Sequence, residues 1–519
     1  MELKKANLHM DQIKCQANAQ FTLEEDKNIS ERNPDAVSIL MEKGRILLNE
    51  VHAGKDSVAI KGKMLYEVLY ISDEGKGRIY KVEGEIPLEE KIRVEGMEAL
   101  DNPQVKVTVE DIKSGLINSR KINIRSLLNI CVEAKEIRDE EVLLEVMGQE
   151  NIEVKKEPYV QSVMVMDQKD IFRIKEELEL PATLPPIQEV LWKDLNLEKW
   201  EVRNLEDKIG LQGEVSLFIL YEAEGEERTI KAYETKVLFS GNIDCPGSNG
   251  CMIADITPTV NNWNVNIRQD YDGEERVIEI EMVLEVPIQL YENREMEIIT
   301  DVYGTSGNVL TEYSDGCGKK YREKYQTKVK AGNTIKVSAD GGKILQVCHI
   351  EAHPMIETTK KEGDTLEVEG VVSVGILYMT DKEDSVYEMM KREIPFSFIY
   401  ENGGLNDESQ WKVLALIEQC DGIILEEDKL EVKLVIALEI LLADCWKTSW
   451  IKNIRLEPYS KEQLEETMGI MVYIPGKKES LWEIGKRYGV SIESIKNMNQ
   501  LTKTEVERGQ KILLVKEVS

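Results

Sequence analysis

Cys348-His349-Ile350-Glu351-Ala352-His353 is the stretch whose residue types come nearest to a metal centre. Alternate side chains of an extended segment share a face, so His349, Glu351 and His353 would project together, and imidazole with carboxylate suits zinc. Two of the chain's four histidines stand here. No distant fourth ligand stands out, so an ordinary strand face with no metal is the expectation. Nucleotide and hydrolase chemistry find less support still. No Gly-x-x-x-x-Gly-Lys-Ser/Thr phosphate loop, His-Glu-x-x-His helix or Gly-x-Ser-x-Gly elbow occurs, and Gly316-Cys317-Gly318-Lys319 lacks the rest of a nucleotide motif. Acidic pairs such as Glu89-Glu90 and Glu426-Glu427 are expected to be solvated faces in a chain with 97 Asp and Glu residues. The chain is therefore expected not to be an enzyme and to need no cofactor. Its function should lie in surfaces.

The charge on those surfaces narrows the partners. A formal net charge of −31 repels DNA, RNA and anionic lipid and favours a basic partner surface. The opening MELKKANLHM lacks the apolar core of a secretory signal, and no stretch reaches the length of a membrane span. A cytoplasmic location is the expectation. The eight cysteines are scattered singly, without a CxxC pair, which fits reduced and mostly buried thiols.

Surfaces need elements to hold them, and 519 residues are too many for one hydrophobic core. With 42% hydrophobic and 31% charged residues, the composition is that of ordered globular domains. An internal repeat supplies the domains. KGKMLYEVLYISDEG from Lys61, QGEVSLFILYEAEGE from Gln212 and EGVVSVGILYMTDKE from Glu369 align without gaps, each with a glycine 8 residues before a tyrosine (Gly62 and Tyr70, Gly213 and Tyr221, Gly370 and Tyr378). Seventeen residues beyond each tyrosine stands Pro87, Leu238 or Pro395. The glycines are 151 and 157 residues apart, a domain-sized period rather than that of a solenoid. The first offset also carries Phe21 onto Phe172 and Pro34 onto Pro185, while INIRSLLNI from Ile122 matches IEIEMVLEV from Ile278 and LEVKLVIAL from Leu430.

Ile278, Ile280, Met282, Leu284 and Val286 alternate with Glu279, Glu281 and Glu285, the period of a half-buried strand. Asp73-Glu74-Gly75, Glu224-Gly225 and Asp272-Gly273 read as turns between antiparallel strands. The run Leu434 to Leu438 fits a strand covered on both faces or a buried helix. Ile187 to Asp194, following Pro185-Pro186, reads as a helix. The expected fold is mainly β: three tandem β-rich, sandwich-like units at 1–150, 151–310 and 311–460, and a small domain of a different kind at 470–519.

In that last domain Ser480 and Glu483 form a capping box, and Leu481, Ile484 and Tyr488 then share a helical face. Gly489 closes that helix and Ser491 caps a second, with Ile492, Ile495 and Met498 as its apolar face. Met471 to Ile474 and Ile512 to Val515 read as flanking strands, giving the order βααβ. SLWEIGKRYGVSIESI from Ser480, then Asn499, Leu501 and Gly509-Gln510-Lys511-Ile512, closely resembles the LysM family. That resemblance implies a groove between the loops Pro475 to Ser480 and Asn499 to Lys503, which in the family commonly binds N-acetylglucosamine polymers. The implied contact residues are Lys477, Lys478, Glu479, Ser480, Asn499, Gln500 and Leu501. Lys478-Glu479-Ser480 stand where the family usually has Gly-Asp-Thr, a departure that weighs against sugar binding because lysine lacks the backbone freedom of glycine. Trp482 is expected in the core.

The three units, with an ILY strand followed by an IP-containing strand, are similar to the SPOCS repeat of endospore-forming bacteria. Three such repeats with a terminal LysM domain resemble the SipL-type family of spore-morphogenesis proteins. The resemblance implies a non-enzymatic adaptor of the mother-cell cytoplasm, recruited to the forespore surface in coat assembly. Its expected partners are a SpoIVA-like coat-basement ATPase, bound through the LysM domain, and other spore coat proteins. The alternative is a peptidoglycan-binding protein of the spore cortex or wall, and a third reading is an enzyme with a metal site near His349.

Overall fold

A computed structural model describes residues 2–74, 78–148, 151–225, 229–322, 324–337, 342–382, 386–401, 403–460 and 469–516. Gly75 of the first turn named above lies outside them.

The first repeat comprises β1 (Glu2–Asn28), β2 (Ala36–Gly54), β3 (Ser57–Ser72), β4 (Ile79–Arg93), β5 (Gln104–Asn118) and β6 (Lys121–Met147). Its two antiparallel sheets, ordered β2-β3-β4 and β1-β6-β5, face each other across a core that includes Val58, Ile60 and Met64 of β3 and Ile122, Ile124 and Leu128 of β6. The second repeat follows the same plan with β7 (Ile152–Glu179), β8 (Ile187–Leu205), β9 (Lys208–Ala223), β10 (Ile230–Asp244), β11 (Ile253–Ile256), β12 (Thr259–Gln269) and β13 (Glu275–Gly304). The third has β14 (Gly307–Tyr321), β15 (Tyr325–Lys336), β16 (Ile344–Glu362), β17 (Thr365–Thr380), β18 (Tyr387–Tyr400), β19 (Gln410–Glu426) and β20 (Lys429–Pro458). The three matching runs read as INIRSLLNI, IEIEMVLEV and LEVKLVIAL lie on β6, β13 and β20, the central strand of the second sheet in each repeat. Leu434, Ile436 and Leu438 are buried on β20, so that run is strand and not helix.

The repeated glycine and tyrosine have structural reasons. A Cβ on Gly62, Gly213 or Gly370 would stand 2.3, 2.4 or 2.3 Å from the backbone oxygen of Leu47, Lys199 or Met355 respectively. In each case a β-bulge in the neighbouring strand brings that carbonyl close, at Leu48/Glu50, Leu197/Lys199 or Ile356/Thr358. The tyrosine hydroxyl caps the sandwich end: Tyr70 donates to Pro34 O and Tyr221 to Pro185 O, both at 3.1 Å. Position 342 of the third repeat is Gly rather than Pro, and there Tyr378 donates to Glu388 Oε2 at 2.9 Å.

Ile187 to Asp194 is strand, the first half of β8, and not the helix expected from its sequence. Register shifts at Ile187/Glu189 and Val190/Trp192 each turn the chain over by one residue, so Ile187 and Leu195 enter the sandwich core while Leu191 and Trp192 enter the cluster at the head axis. Buried residues consequently fall at Ile187, Leu191, Trp192, Asp194 and Leu195, a mixed spacing without the strict alternation by which a strand is recognised in sequence.

The three repeats pack around a pseudo-three-fold axis at two levels. The head sheets turn their outer faces toward one another, so that Leu69, Leu220 and Leu377 from equivalent positions share one buried cluster with Met41, Trp192 and Tyr387. Beyond the sandwiches, the N-terminal part of β1 with the C-terminal part of β6 forms a two-stranded ribbon, as do β7 with β13 and β14 with β20. These ribbons join through Val142, Ile298 and Trp450, and further along through Leu143, Ile299 and Ile451. Ser314 Oγ donates to Glu140 Oε2 at 2.8 Å and Tyr321 N to Ser162 Oγ at 2.8 Å, tying the third ribbon to both others.

Candidate functional site

The C-terminal domain begins with β21 (Gly469–Tyr473), which pairs antiparallel with β24 (Ile512–Lys516) at its end. Between them lie β22 (Glu479–Ser480), α1 (Leu481–Tyr488), α2 (Ile492–Asn499) and β23 (Glu505–Val506). Capping follows the sequence closely. Ser480 Oγ accepts from Glu483 N while Glu483 Oε2 accepts from Ser480 N, Gly489 ends α1 in the left-handed conformation, and Ser491 caps α2. Leu481, Ile484, Ile495, Val506, Ile512 and Leu514 make the core.

The first loop implied by the LysM resemblance, Pro475 to Ser480, lies against the segment Thr504 to Gly509, which directly follows the second implied loop. β22 pairs with β23, Leu481 N donates to Thr504 O at 2.8 Å, and Gly509 N donates to Pro475 O at 2.9 Å. Several of the seven residues serve the fold. Asn499 spends its amide on backbone, donating to Ile495 O and Leu513 O at 2.9 and 2.8 Å and accepting from Leu513 N at 2.7 Å. Glu479 is buried and accepts from Tyr473 Oη at 3.0 Å, Ser480 is the helix cap, and Leu501 packs against the core. Gln500 sits in the left-handed region at φ 52° with its side chain exposed. Lys477 is exposed as well, and Lys478 reaches Glu505 at 2.6 Å, a partner that raises its pKa. The face therefore presents Lys477, Lys478 and Gln500 to solvent.

Trp482 belongs to neither this face nor the core expected for it. Its Nε1 donates to Asp301 Oδ2 at 2.8 Å, and its ring meets Tyr303 edge-on with centroids 4.9 Å apart, both partners lying at the end of β13 in the second repeat. Lys486 Nζ reaches Asp301 Oδ1 at 2.6 Å, and Tyr303 Oη donates to Val490 O at 2.9 Å. Burial pushes the Asp301 carboxyl up, but Lys486 and Trp482 outweigh it and the group titrates below its ordinary value. A Cβ on Gly485 would stand 2.4 Å from the Tyr303 hydroxyl, which accounts for a glycine inside α1. Asp301 and Tyr303 have no local sequence signature; Gly485, a glycine inside a helix, is the sequence signal that something approaches it.

The His349 stretch lies on β16 at the head axis. His349 stacks on Phe218 of the second repeat, with centroids 3.9 Å apart, and its Nδ1 is 3.2 Å from Glu234 Oε2. His353 keeps a solvent-facing edge, yet its enclosure among the repeats lowers its pKa, with Glu351 acting in the opposite sense. Among the described residues, no three His, Cys, Asp or Glu side chains gather as a metal cluster. Among them too, none of the eight cysteines is paired; Cys251 and Cys317 are exposed, and the rest are buried or half-buried. No described helix is long and apolar enough to cross a membrane.

The SipL SPOCS domain model matches residues 35–117, 186–268 and 343–425, and the LysM domain model matches 476–515. Each SPOCS match runs from the first strand of a head sheet to the strand that precedes the central strand of the second sheet, leaving the ribbons outside. No curated protein and no solved structure matches the chain. The domains mark a sporulation-related protein with a LysM module, a type associated with carbohydrate or peptidoglycan binding. With three SPOCS domains followed by one LysM domain, the chain belongs to the SipL-type family.

Proposed function

We propose that the chain is a non-enzymatic adaptor of the mother-cell cytoplasm that joins a SpoIVA-like coat-basement ATPase to the assembling spore coat through its LysM domain. The observation that carries this reading is the fixed posture of that domain. α1 and the turn after it are held on the second repeat through Trp482, Lys486 and Val490, and Lys477, Lys478 and Gln500 of the loop face stay exposed. A rigid body of three fused domains that holds out one small module is suited to carrying a contact rather than a reaction. The basic pair on this face also differs in sign from a chain of net charge −31, which favours an acidic partner surface here over the basic one expected from the whole-chain charge.

Surface-binding measurements with the full chain and a purified ATPase of this class test the reading. Lys477→Glu with Lys478→Glu should weaken binding at least tenfold, and unchanged affinity would remove the loop face from the interface. The LysM match supports a second reading, attachment to N-acetylglucosamine polymers. Retention of the full chain on purified peptidoglycan, with no affinity for the ATPase, would favour that one.

A further inference from the structure

Between the first and second repeats lies a cleft where basic side chains collect. A cavity of about 200 Å³ is lined by Lys43 and Arg45 of β2, Glu67 of β3, Lys193 of β8 and Trp263 of β12. A smaller neighbouring cavity of about 90 Å³ adds Lys81 of β4. The Arg45 guanidinium lies 4.9 Å from the centroid of the Trp263 ring, and its Nη1 is buried without a hydrogen-bond partner. Lys193 Nζ donates to Val265 O at 3.1 Å, and Lys43 is paired with Asp194. Of the residues that line the larger cavity, Glu67 is the carboxylate and faces three cations; behind the lining, Asp194 and Glu351 act on Lys43, and Glu83 pairs with Lys81 at 2.8 Å.

The fold does not require this charge. The repeats superpose position by position through their shared bulges, which fall at Ile39/Met41, Val190/Trp192 and Val347/His349. On that register Lys43 corresponds to Asp194 and Glu351, Arg45 to Asn196 and His353, Lys193 to Glu42 and Ile350, and Lys81 to Ala232 and Met389. The same interface is thus built twice more without a cationic cluster. Collecting cations in a partly desolvated cleft is unfavourable unless an anion offsets them. Burial lowers the pKa of Lys43, Arg45 and Lys193 alike, with nearby carboxylates acting in the opposite sense.

We propose that this cleft is a binding site for a small oxyanion of the phosphate class, held by Arg45, Lys193 and Lys43 against the Trp263 wall. The volume holds one tetrahedral oxyanion with some water, since a water molecule occupies about 30 Å³. Arg45 Nη1 supplies a donor with no other use, and guanidinium geometry suits phosphate. The site lies far in the sequence from the LysM face and does not depend on the adaptor reading.

Titration of the full chain with inorganic phosphate, against sodium chloride at matched ionic strength, tests the site by thermal unfolding and by ³¹P line broadening. Phosphate should raise the midpoint saturably and broaden the phosphate signal, and both effects should vanish in Arg45→Met/Lys193→Met. Equal responses to phosphate and chloride, or a full phosphate response in the double variant, would overturn the proposal. Glu67→Gln guards against a misfolded double variant, because it keeps all the cations and removes the carboxylate that lines the cavity. It should tighten phosphate binding several-fold, and unchanged or weaker binding would place the anion elsewhere.

Discussion

Lys43, Asp194 and Glu351 occupy one position in three successive repeats, and the axis brings them together as one cation and two carboxylates. Asp194 retains 2% of its side-chain exposure and is held by Lys43 and by Asn196 Nδ2 at 2.7 Å. Burial drives the Lys43 pKa down to about 8 from an ordinary 10.5, with Glu351 and Glu67 resisting. A lysine lowered in this way costs the native state stability below pH 8, and the cost fades as the pH rises toward 10.5. Removing it is nonetheless not a gain, because Asp194 would remain buried and unpaired. Lys43→Met should destabilise the chain by about 3 kcal/mol, whereas Lys43→Met combined with Asp194→Leu should recover most of that loss. Denaturant melts of the two single variants and the double variant check this, and additive losses would mean that the pair is not coupled. His349, Glu351 and His353 could be picked out from sequence as chemically able residues. Their actual neighbours, Phe218, Glu234 and Lys43, come from other repeats and leave no local pattern.

Strands carry the repeat, and their irregularities carry its sequence signature. Gly213 is fixed by a bulge carbonyl at 2.4 Å and by the Phe239 ring at 2.6 Å, so even a methyl group has nowhere to go. Gly213→Ala should therefore cost about 1–3 kcal/mol, the range seen when a packed site is overfilled. Gly115→Ala, on an exposed strand with nothing within 4 Å of the added carbon, should change stability little. Similar losses at both sites in thermal melts would show that backbone entropy rather than the bulge sets the cost. The alternation on β13 and the caps of α1 and α2 were legible because each is a local rule. The β8 segment misled for the same reason: two bulges reset its face, and a bulge is decided by pairing with β9 rather than by the residues of β8 alone. Of the LysM loop residues, sequence could identify the position of Asn499 but not that three backbone contacts already consume its amide.

At the scale of the molecule, three-fold packing removes one attraction of a three-copy chain. The equivalent head faces around Leu69, Leu220 and Leu377 bury one another, so they are not three free sites for one partner. What breaks the symmetry is the LysM domain, which rests on one ribbon of the three. The positions matching Asp301 and Tyr303 are Glu145 and Met147 in the first ribbon and Asn453 and Arg455 in the third, related by the shared contacts of Val146, Val302 and Ile454. Only the second ribbon joins the carboxylate that holds Trp482 and Lys486 to the phenol that reaches Val490 O. Hydrogen bonds to a charged group contribute about 1.5–3 kcal/mol each, so Asp301→Ala with Tyr303→Phe should raise the undocked population by more than tenfold. Small-angle scattering should show a larger radius of gyration for that variant. The melting of the three-repeat body should stay unchanged, since neither residue lies in a sandwich core. An unchanged radius would mean that other contacts hold the domain, among them Lys516 over the Tyr459 ring at 4.6 Å. If the domain does come loose, affinity for the ATPase proposed above as partner should fall less than with Lys477→Glu/Lys478→Glu, because the loop face itself is left intact.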